Sequence, residues 1–253
     1  MLLSKLIKIR NESGFSLVEI AVVLVIVGLL LAGLLPTLTG QRNLKQINET
    51  RTQMDAIRES LVGFAVANGR LPCPDTDATP DGFENFGASP APTDNFPQTG
   101  QSTKIIRCSA SSSTGGGLPY NQLGTPSLDP YNRAYIYRVT STFAQKDEVY
   151  SGLNATGTLL TTSYFKLSSV GNLRVCRTQA CAAPRLLDNA AAVIVSQGEV
   201  AAHTPTLSDE TENADSDADF VNHDLVQNGY DDLVVWLSSN TLFNRMVAAG
   251  KLP

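Results

Sequence analysis

Nine carboxylates crowd one stretch near the C-terminus, five of them aspartates at its middle and end that could share a cation. Residues 207–232 read LSDETENADSDADFVNHDLVQNGYDD, in which Asp215, Asp217 and Asp219 alternate and Asp231 and Asp232 close the segment. Hard oxygen ligands of this kind suit Ca²⁺, which takes six to eight of them. The Asp-x-Asp-x-Asp start matches the opening of an EF-hand loop. Phe220 stands where that loop needs glycine and Val226 where it needs the closing glutamate, so this is not an EF-hand. The segment holds no Lys or Arg, so its acids repel one another. A divalent cation would relieve that repulsion, and plain solvation of a charged loop is the other outcome. A structural calcium on these five aspartates is the one cofactor the residue types suggest.

Enzyme chemistry finds less support. The sequence contains no Gly-x-Ser-x-Gly, no His-Glu-x-x-His and no phosphate-binding loop. Its two histidines, His203 and His223, lie in polar stretches and read as exposed loop residues. Asp217 and Asp231 have the chemistry of a glycosidase pair, but nothing places them across a cleft. No catalytic residue is assigned, and the chain is expected not to be an enzyme.

The elements that must position these residues begin with an uneven charge distribution. The chain has 253 residues, of which 42% are apolar, enough to bury a core. Net charge is −5 and aromatics are 7%, which disfavours wholesale phosphate neutralisation and base stacking. Residues 130–187 hold seven Lys/Arg against two Asp/Glu, whereas residues 188–253 hold two against eleven. A basic middle therefore precedes an acidic tail.

The N-terminus carries a short basic leader, MLLSKLIKIRNESG, followed by the apolar run Phe15–Leu35. As a helix that run is about 30 Å long, enough for a bilayer core, and the leading positive charges hold the N-terminus in the cytoplasm. A signal peptide or a plain anchor would look similar. Neither explains Glu19, since a carboxylate inside a membrane span costs about 2.5–3.5 kcal/mol and normally has a partner.

Gly14-Phe15-Ser16-Leu17-Val18-Glu19 resembles the cleavage and methylation site of type IV prepilins and type II secretion pseudopilins. The resemblance implies cleavage after Gly14 by a prepilin peptidase and N-methylation of Phe15 by the same enzyme. It implies that Glu19 meets the α-amino group of a neighbouring subunit during assembly, so that one buried charge neutralises another. Pro36 falls where many pilins kink this helix. Residues 1–14 would be the leader, and 15–39 a transmembrane and filament-core helix.

Residues 40–70 continue as an amphipathic helix, with Leu44, Ile47, Met54, Ile57, Leu61 and Phe64 forming one apolar stripe. Asn68-Gly69 should stop the helix, and Leu71-Pro72 follows. Residues 71–253 would form the head. Its first part, 71–129, reads as a long irregular region punctuated by Pro and Gly. Strands are expected at 134–139, 160–167, 173–176, 191–196 and 233–237, with a last helix at 241–249 capped by Asn240 and stopped by Gly250. The fold class is α+β: a long N-terminal helix packed on a small antiparallel, pilin-like sheet.

Four cysteines, Cys73, Cys108, Cys176 and Cys181, allow three disulfide pairings. If the head faces an oxidising compartment, pairing of nearest neighbours is expected. A Cys73–Cys108 bridge would contribute about 3–4 kcal/mol and a Cys176–Cys181 bridge about 2 kcal/mol on the loop-entropy model. Zinc ligation is disfavoured by the spacing.

Two head segments resemble the major pseudopilin of type II secretion. Asp129-Pro130-Tyr131-Asn132-Arg133-Ala134-Tyr135-Ile136-Tyr137 is similar to its turn-into-strand segment. Val195-Ser196-Gln197-Gly198, before the acidic stretch, is similar to its glycine and aspartate loop, which binds calcium in that family. The function implied is a pilin-like structural subunit of a type IV pilus or a secretion pseudopilus. Its implied partners are the prepilin peptidase, other pilin or pseudopilin subunits, an ATPase motor and an inner-membrane assembly platform. The implied location is the bacterial inner membrane, single-pass with a periplasmic head, or the cell exterior once assembled in a pilus. The alternative is a minor pilin or adhesin that binds DNA, a surface or cargo through the basic segment Arg133–Arg185. Nucleic acid would be a partner only for a DNA-uptake pilin.

Overall fold

The computed structural model describes residues 16–86, 101–106, 108, 115–151, 158–163, 165–200, 207–215, 217–226 and 229–252. The chain divides into two units, Met1–Lys45 and Gln46–Pro253.

The first unit is built on the opening half of α1 (Leu17–Asn68). Ser16 starts the helix by presenting both its carbonyl, 3.1 Å, and its hydroxyl, 3.2 Å, to the Glu19 amide. That satisfies one of the free N–H groups every helix N-terminus leaves. Leu17 is 87% exposed, and Val18 through Leu30 also present much of their apolar surface. Among the described residues no helix is long and apolar enough to cross a membrane. The expected span at 15–35 thus lacks support from the structure; Phe15 and the side chains of 31–35 lie outside the described residues.

In the second unit the rest of α1 supplies the core. Met54, Ile57, Leu61 and Ala65 are fully buried, at the spacings of three and four that line one helix face, and Val62 beside them is nearly so. Each large side chain buried this way contributes about 1.5–3 kcal/mol. The helix ends at Asn68, and Gly69 takes φ 74°, the left-handed turn that glycine adopts without a Cβ penalty.

The strands and short helices follow in chain order: β1 (Gln101–Ile106), β2 (Gly116–Gly117), α2 (Tyr120–Leu123), β3 (Ile136–Val139), α3 (Ser141–Ala144), β4 (Lys146–Ser151), β5 (Thr158–Ser163), β6 (Leu173–Cys176), β7 (Leu187–Ser196), α4 (Ser208–Ala214), β8 (Asp219–Val221), β9 (Leu233–Ser238) and α5 (Ser239–Ala248). They form a three-stranded sheet, β1-β4-β5, and a six-stranded sheet in which β2-β3-β7-β6-β8 run in order and β9 also pairs with β7. The large sheet is not purely antiparallel, because β8 runs parallel to β6.

Strand β7 is the axis of that sheet. Its alternate residues serve two cores, as the two-residue strand period requires. Ala192 and Ile194 join the α1 residues together with Leu242 and Met246 of α5. Val193 and Val195 join Leu173, Val175 and Phe220 on the other face.

The expected α+β class therefore holds, and five expectations need correction. The strand expected at 160–167 is β5 at Thr158–Ser163, and Phe165 is fully buried with its ring tilted against Phe143, centroids 5.2 Å apart. Strand β7 begins four residues early because its first half pairs with β6. The last helix is capped by Ser238, whose hydroxyl accepts the Thr241 amide, not by Asn240. The region 71–129 contains β1, β2 and α2. The sequence also hid α4 and β8 inside the acidic stretch.

Both disulfides join nearest neighbours: Cys73–Cys108 with Cα atoms 5.3 Å apart, and Cys176–Cys181 with 5.1 Å.

Candidate functional site

The acidic stretch folds into a corner built by α4, β8 and the residues before β9. Asn213, fully buried on α4, organises it. Its side-chain amide donates to the Val221 carbonyl, 3.0 Å, and to Asp232, 2.9 Å, and also reaches the Tyr230 hydroxyl, 3.3 Å. Its side-chain carbonyl accepts the Val221 amide at 2.8 Å. The Tyr230 hydroxyl donates to the Val221 carbonyl at 2.6 Å. Burial, followed by the charge of Asp232, pushes the Tyr230 phenol well above its ordinary range.

The five aspartates do not converge. Asp231 and Asp232 meet Glu210, and Asp215 and Asp217 meet Glu212; in each trio one oxygen from each carboxylate lies within 4.8 Å of the other two. Asp219 belongs to neither trio, because Arg174 on the neighbouring strand grips its carboxylate with Nε and a terminal nitrogen. The expected single five-aspartate site is thus replaced by two trios that recruit glutamates from α4.

The acids are also less isolated than the sequence implies. Arg138 on β3 is buried and donates to the Asp215 carbonyl. Burial lowers its basicity, against the opposing pull of Asp215 and Asp217. Part of the basic middle thus serves the acidic tail within one chain. Arg133 donates to the Glu199 carbonyl at 2.7 Å, and Arg185 pairs with Asp188 at 2.7 Å. Of the basic segment, Arg185 and Arg174 are thus paired with carboxylates within the chain, whereas Lys166 and Arg177 are exposed.

Crowding tunes the second trio. Burial, then the charges of Asp217, Asp215 and Asp219, raise the Glu212 carboxyl, while a hydrogen bond from Gln179 opposes them. Burial first also raises Asp215, with Asp217 adding charge repulsion that its backbone hydrogen bond opposes. A carboxyl raised on folding stabilises the fold below its unfolded value and loses that contribution as pH rises through the folded value. We expect Asp217→Asn to raise the melting temperature at pH 7 and to lose this benefit as pH falls through the raised carboxyl range. Melting curves from pH 3 to 8 check it. A benefit constant across that range would detach Asp217 from its neighbours' ionisation.

The two segments that resemble the pseudopilin meet near the first trio. Asp129 folds the first one: Oδ1 accepts the amides of Tyr131 and Arg133, both at 2.9 Å, and Oδ2 accepts the Ser196 hydroxyl at 2.6 Å. Ser196 ends β7, two residues before Gly198. Gly198 has φ 59°, and a Cβ there would strike the Asp231 backbone. The Asp231 carboxylate accepts the Val200 amide at 2.9 Å, and the Asp231 amide donates to Glu210 at 3.1 Å. The loop after β7 is thereby fastened to the Glu210–Asp231–Asp232 trio.

Other assignments fall as follows. Gly14, Phe15 and His203 lie outside the described residues. Glu19 is exposed in the first turn of α1. His223 is not a free loop histidine: its ring stacks on Tyr230 with centroids 3.9 Å apart, and Nε2 lies 3.2 Å from Asp209. Sequence reasoning missed Glu210 and Glu212, which lie within the quoted acidic stretch. It also missed a third carboxylate group, Asp75, Asp77 and Asp81, whose signal was Asp-x-Asp-x-x-x-Asp-Gly directly after Cys73-Pro74.

Comparison with known proteins bears on the N-terminus. The prokaryotic N-terminal methylation motif matches residues 9–35, and this motif marks type IV prepilin- and pseudopilin-like proteins. No curated protein and no solved structure matches the chain.

Proposed function

We propose that this chain is a pilin-like structural subunit, cleaved after Gly14, N-methylated at Phe15 and assembled into a type IV pilus or a type II secretion pseudopilus. The observation that carries the reading is the methylation motif at residues 9–35, whose part from Leu17 onward lies in α1. In this reading the exposed apolar surface of Leu17–Leu30 is covered first by lipid and then by neighbouring helices. Contacts of that kind are heterologous and extend into a filament. The subunit starts at the inner membrane with its head outside the cytoplasm, and it depends on the prepilin peptidase, other pilin or pseudopilin subunits and an assembly platform.

Mass spectrometry of protein extracted from membranes tests the processing step. The expected mature chain begins at N-methyl-Phe15. An intact Met1, or a cut after residue 35, would sink the reading.

A structural calcium belongs to the same proposal, with the ligand set redrawn as Glu210, Asp231 and Asp232. Their oxygens suit a hard cation, and the loop after β7 is tied to them. Millimolar Ca²⁺ at a hundredfold excess over Kd would stabilise by about 2.7 kcal/mol, a rise of roughly 5–10 °C in melting temperature for a domain of this size. Asp231→Asn should abolish that rise, and Asp217→Asn should leave it. Equal responses to Ca²⁺ and Mg²⁺ would reduce the corner to a solvated acidic surface.

A further inference from the structure

We propose, on the reading of this chain as a filament subunit, that the heads of neighbouring copies bind each other through two unlike patches. One is an aromatic and acidic loop, residues 77–86, and the other a basic and apolar turn, residues 166–170.

The loop stands at one edge of the large sheet. Asp75 just before it bridges Gly117 in β2, the first strand of the sheet order. Asp75 Oδ2 accepts the Gly82 amide at 2.7 Å. Asn121 of α2 donates from its side chain to the Asp81 carbonyl, 2.6 Å, and from its amide to the Gly82 carbonyl, 2.9 Å. Pinned in this way, the loop still leaves Phe83 52% and Phe86 51% exposed. Asp77 and Asp81 are exposed too; the Asp81 carboxylate accepts the Phe83 amide at 2.9 Å and comes within 4.8 Å of that of Asp77. Residues 71–86 contain no Lys or Arg, so the loop is negative.

The turn lies on the other side of β7, ahead of β6. Both its ends are fixed. Phe165 is fully buried against Phe143 and Phe243, and Gly171 packs so close to β7 that a Cβ would strike the Ala190 carbonyl. Between them the Ser169 amide donates to the Lys166 carbonyl and the Lys166 amide to the Ser169 hydroxyl, both at 2.9 Å. Lys166, Leu167 and Val170 are nevertheless exposed. Residues 165–187 hold four Lys/Arg and no Asp/Glu, so this patch is positive.

A lone exposed apolar residue is ordinary. Here two fixed apolar knobs carry charges of opposite sign, and both are fastened to one sheet on opposite sides of β7, so a single chain cannot bring them together. A second copy can. Its phenyl rings would cover Leu167 and Val170, and Lys166 would meet the aspartates and a ring face. Contact between unlike surfaces leaves one patch open on each end copy, so it repeats without closing.

Cross-linking of the full chain in assembling cells tests this. The native cysteines are paired and do not react with a bismaleimide. Phe83→Cys and Val170→Cys in the same chain should give a ladder of multimers, and either change alone should give none. Lys166→Glu should lower filament yield by about tenfold, and adding Asp77→Lys should recover most of it. Melting curves confirm that these exposed substitutions leave the head folded. Three results would overturn the proposal while leaving the subunit reading in place: filaments whose double-cysteine chains give no ladder or cross-link only to other proteins, parental yield from Lys166→Glu, or a defect that Asp77→Lys does not relieve. A parent chain that is neither cut after Gly14 nor assembled would remove the subunit reading, and this proposal with it.

Discussion

Arg70→Leu is expected to cost the head about 3–5 kcal/mol, a fall of roughly 6–20 °C in melting temperature. Arg70 and Glu84 form a bidentate pair at 2.6 and 2.7 Å, with side chains only 6% and 5% exposed. Each oxygen of Glu84 accepts two hydrogen bonds. Glu84 also accepts the Cys73 amide at 2.9 Å and the Gln122 side chain at 2.7 Å. The guanidinium donates to the Leu71 carbonyl and lies between the rings of Phe64 and Phe86, 5.5 and 5.4 Å from their centroids. Removing the arginine leaves a carboxylate buried without its counter-charge, which is the expensive outcome for any buried pair. It also strips the offset that Arg70 gives the Tyr137 phenol against Glu84, beyond the dominant effect of burial. Adding Glu84→Gln to Arg70→Leu should recover part of the loss, since no lone charge is then left inside. Thermal melts of the two variants decide it. A fall of under about 2 °C for Arg70→Leu would mean that water reaches Glu84.

Glu19→Val is expected to leave membrane insertion intact and to slow or abolish filament assembly. Lipid alone would favour valine by about 2.5–3.5 kcal/mol at a central position, so a loss of assembly cannot come from poorer insertion. The carboxylate stands in the first turn of α1, where the helix dipole favours negative charge, and a neighbour's α-amino group would neutralise it on packing. Membrane fractionation and counting of surface filaments separate the two steps. Assembly at the parent's rate would remove the subunit contact from Glu19.

What could be read from the sequence was local. The Gly14-Phe15…Glu19 motif, the stop at Asn68-Gly69 and the bounds of β6 each depend on residues a few positions apart, and the last two coincide with the structure. Nearest-neighbour cysteine pairing was legible for the same reason. What was illegible depends on distant partners. Arg138 finds Asp215 across 77 positions and Arg174 finds Asp219 across 45, so the acidic stretch looked uncompensated. The helix α4 reads SDETENA, polar on every side but for its final alanine, and shows no apolar stripe. Its buried Asn213 is the core-facing residue that a search for hydrophobic periodicity passes over. The Arg70–Glu84 pair leaves no periodic trace at all, because the backbone between them is irregular.

The double pairing of β7 also orders events in time. A chain made N-terminus first presents β3 and β6 before β7, and β6 takes only the first part of the second flank of β7; the rest of that flank, from Ala192 to Ser196, must wait for β9 to emerge. Until then Val193 and Val195 on one face, and Ala192 and Ile194 on the other, belong to a strand with one open edge. Such a contact map has high sequence separation, which slows closure and lengthens exposure of that edge. The window of vulnerability to aggregation therefore falls late, after the helix and the Cys73–Cys108 segment have been delivered. A holding factor that shields one apolar strand edge would help this head most at that moment.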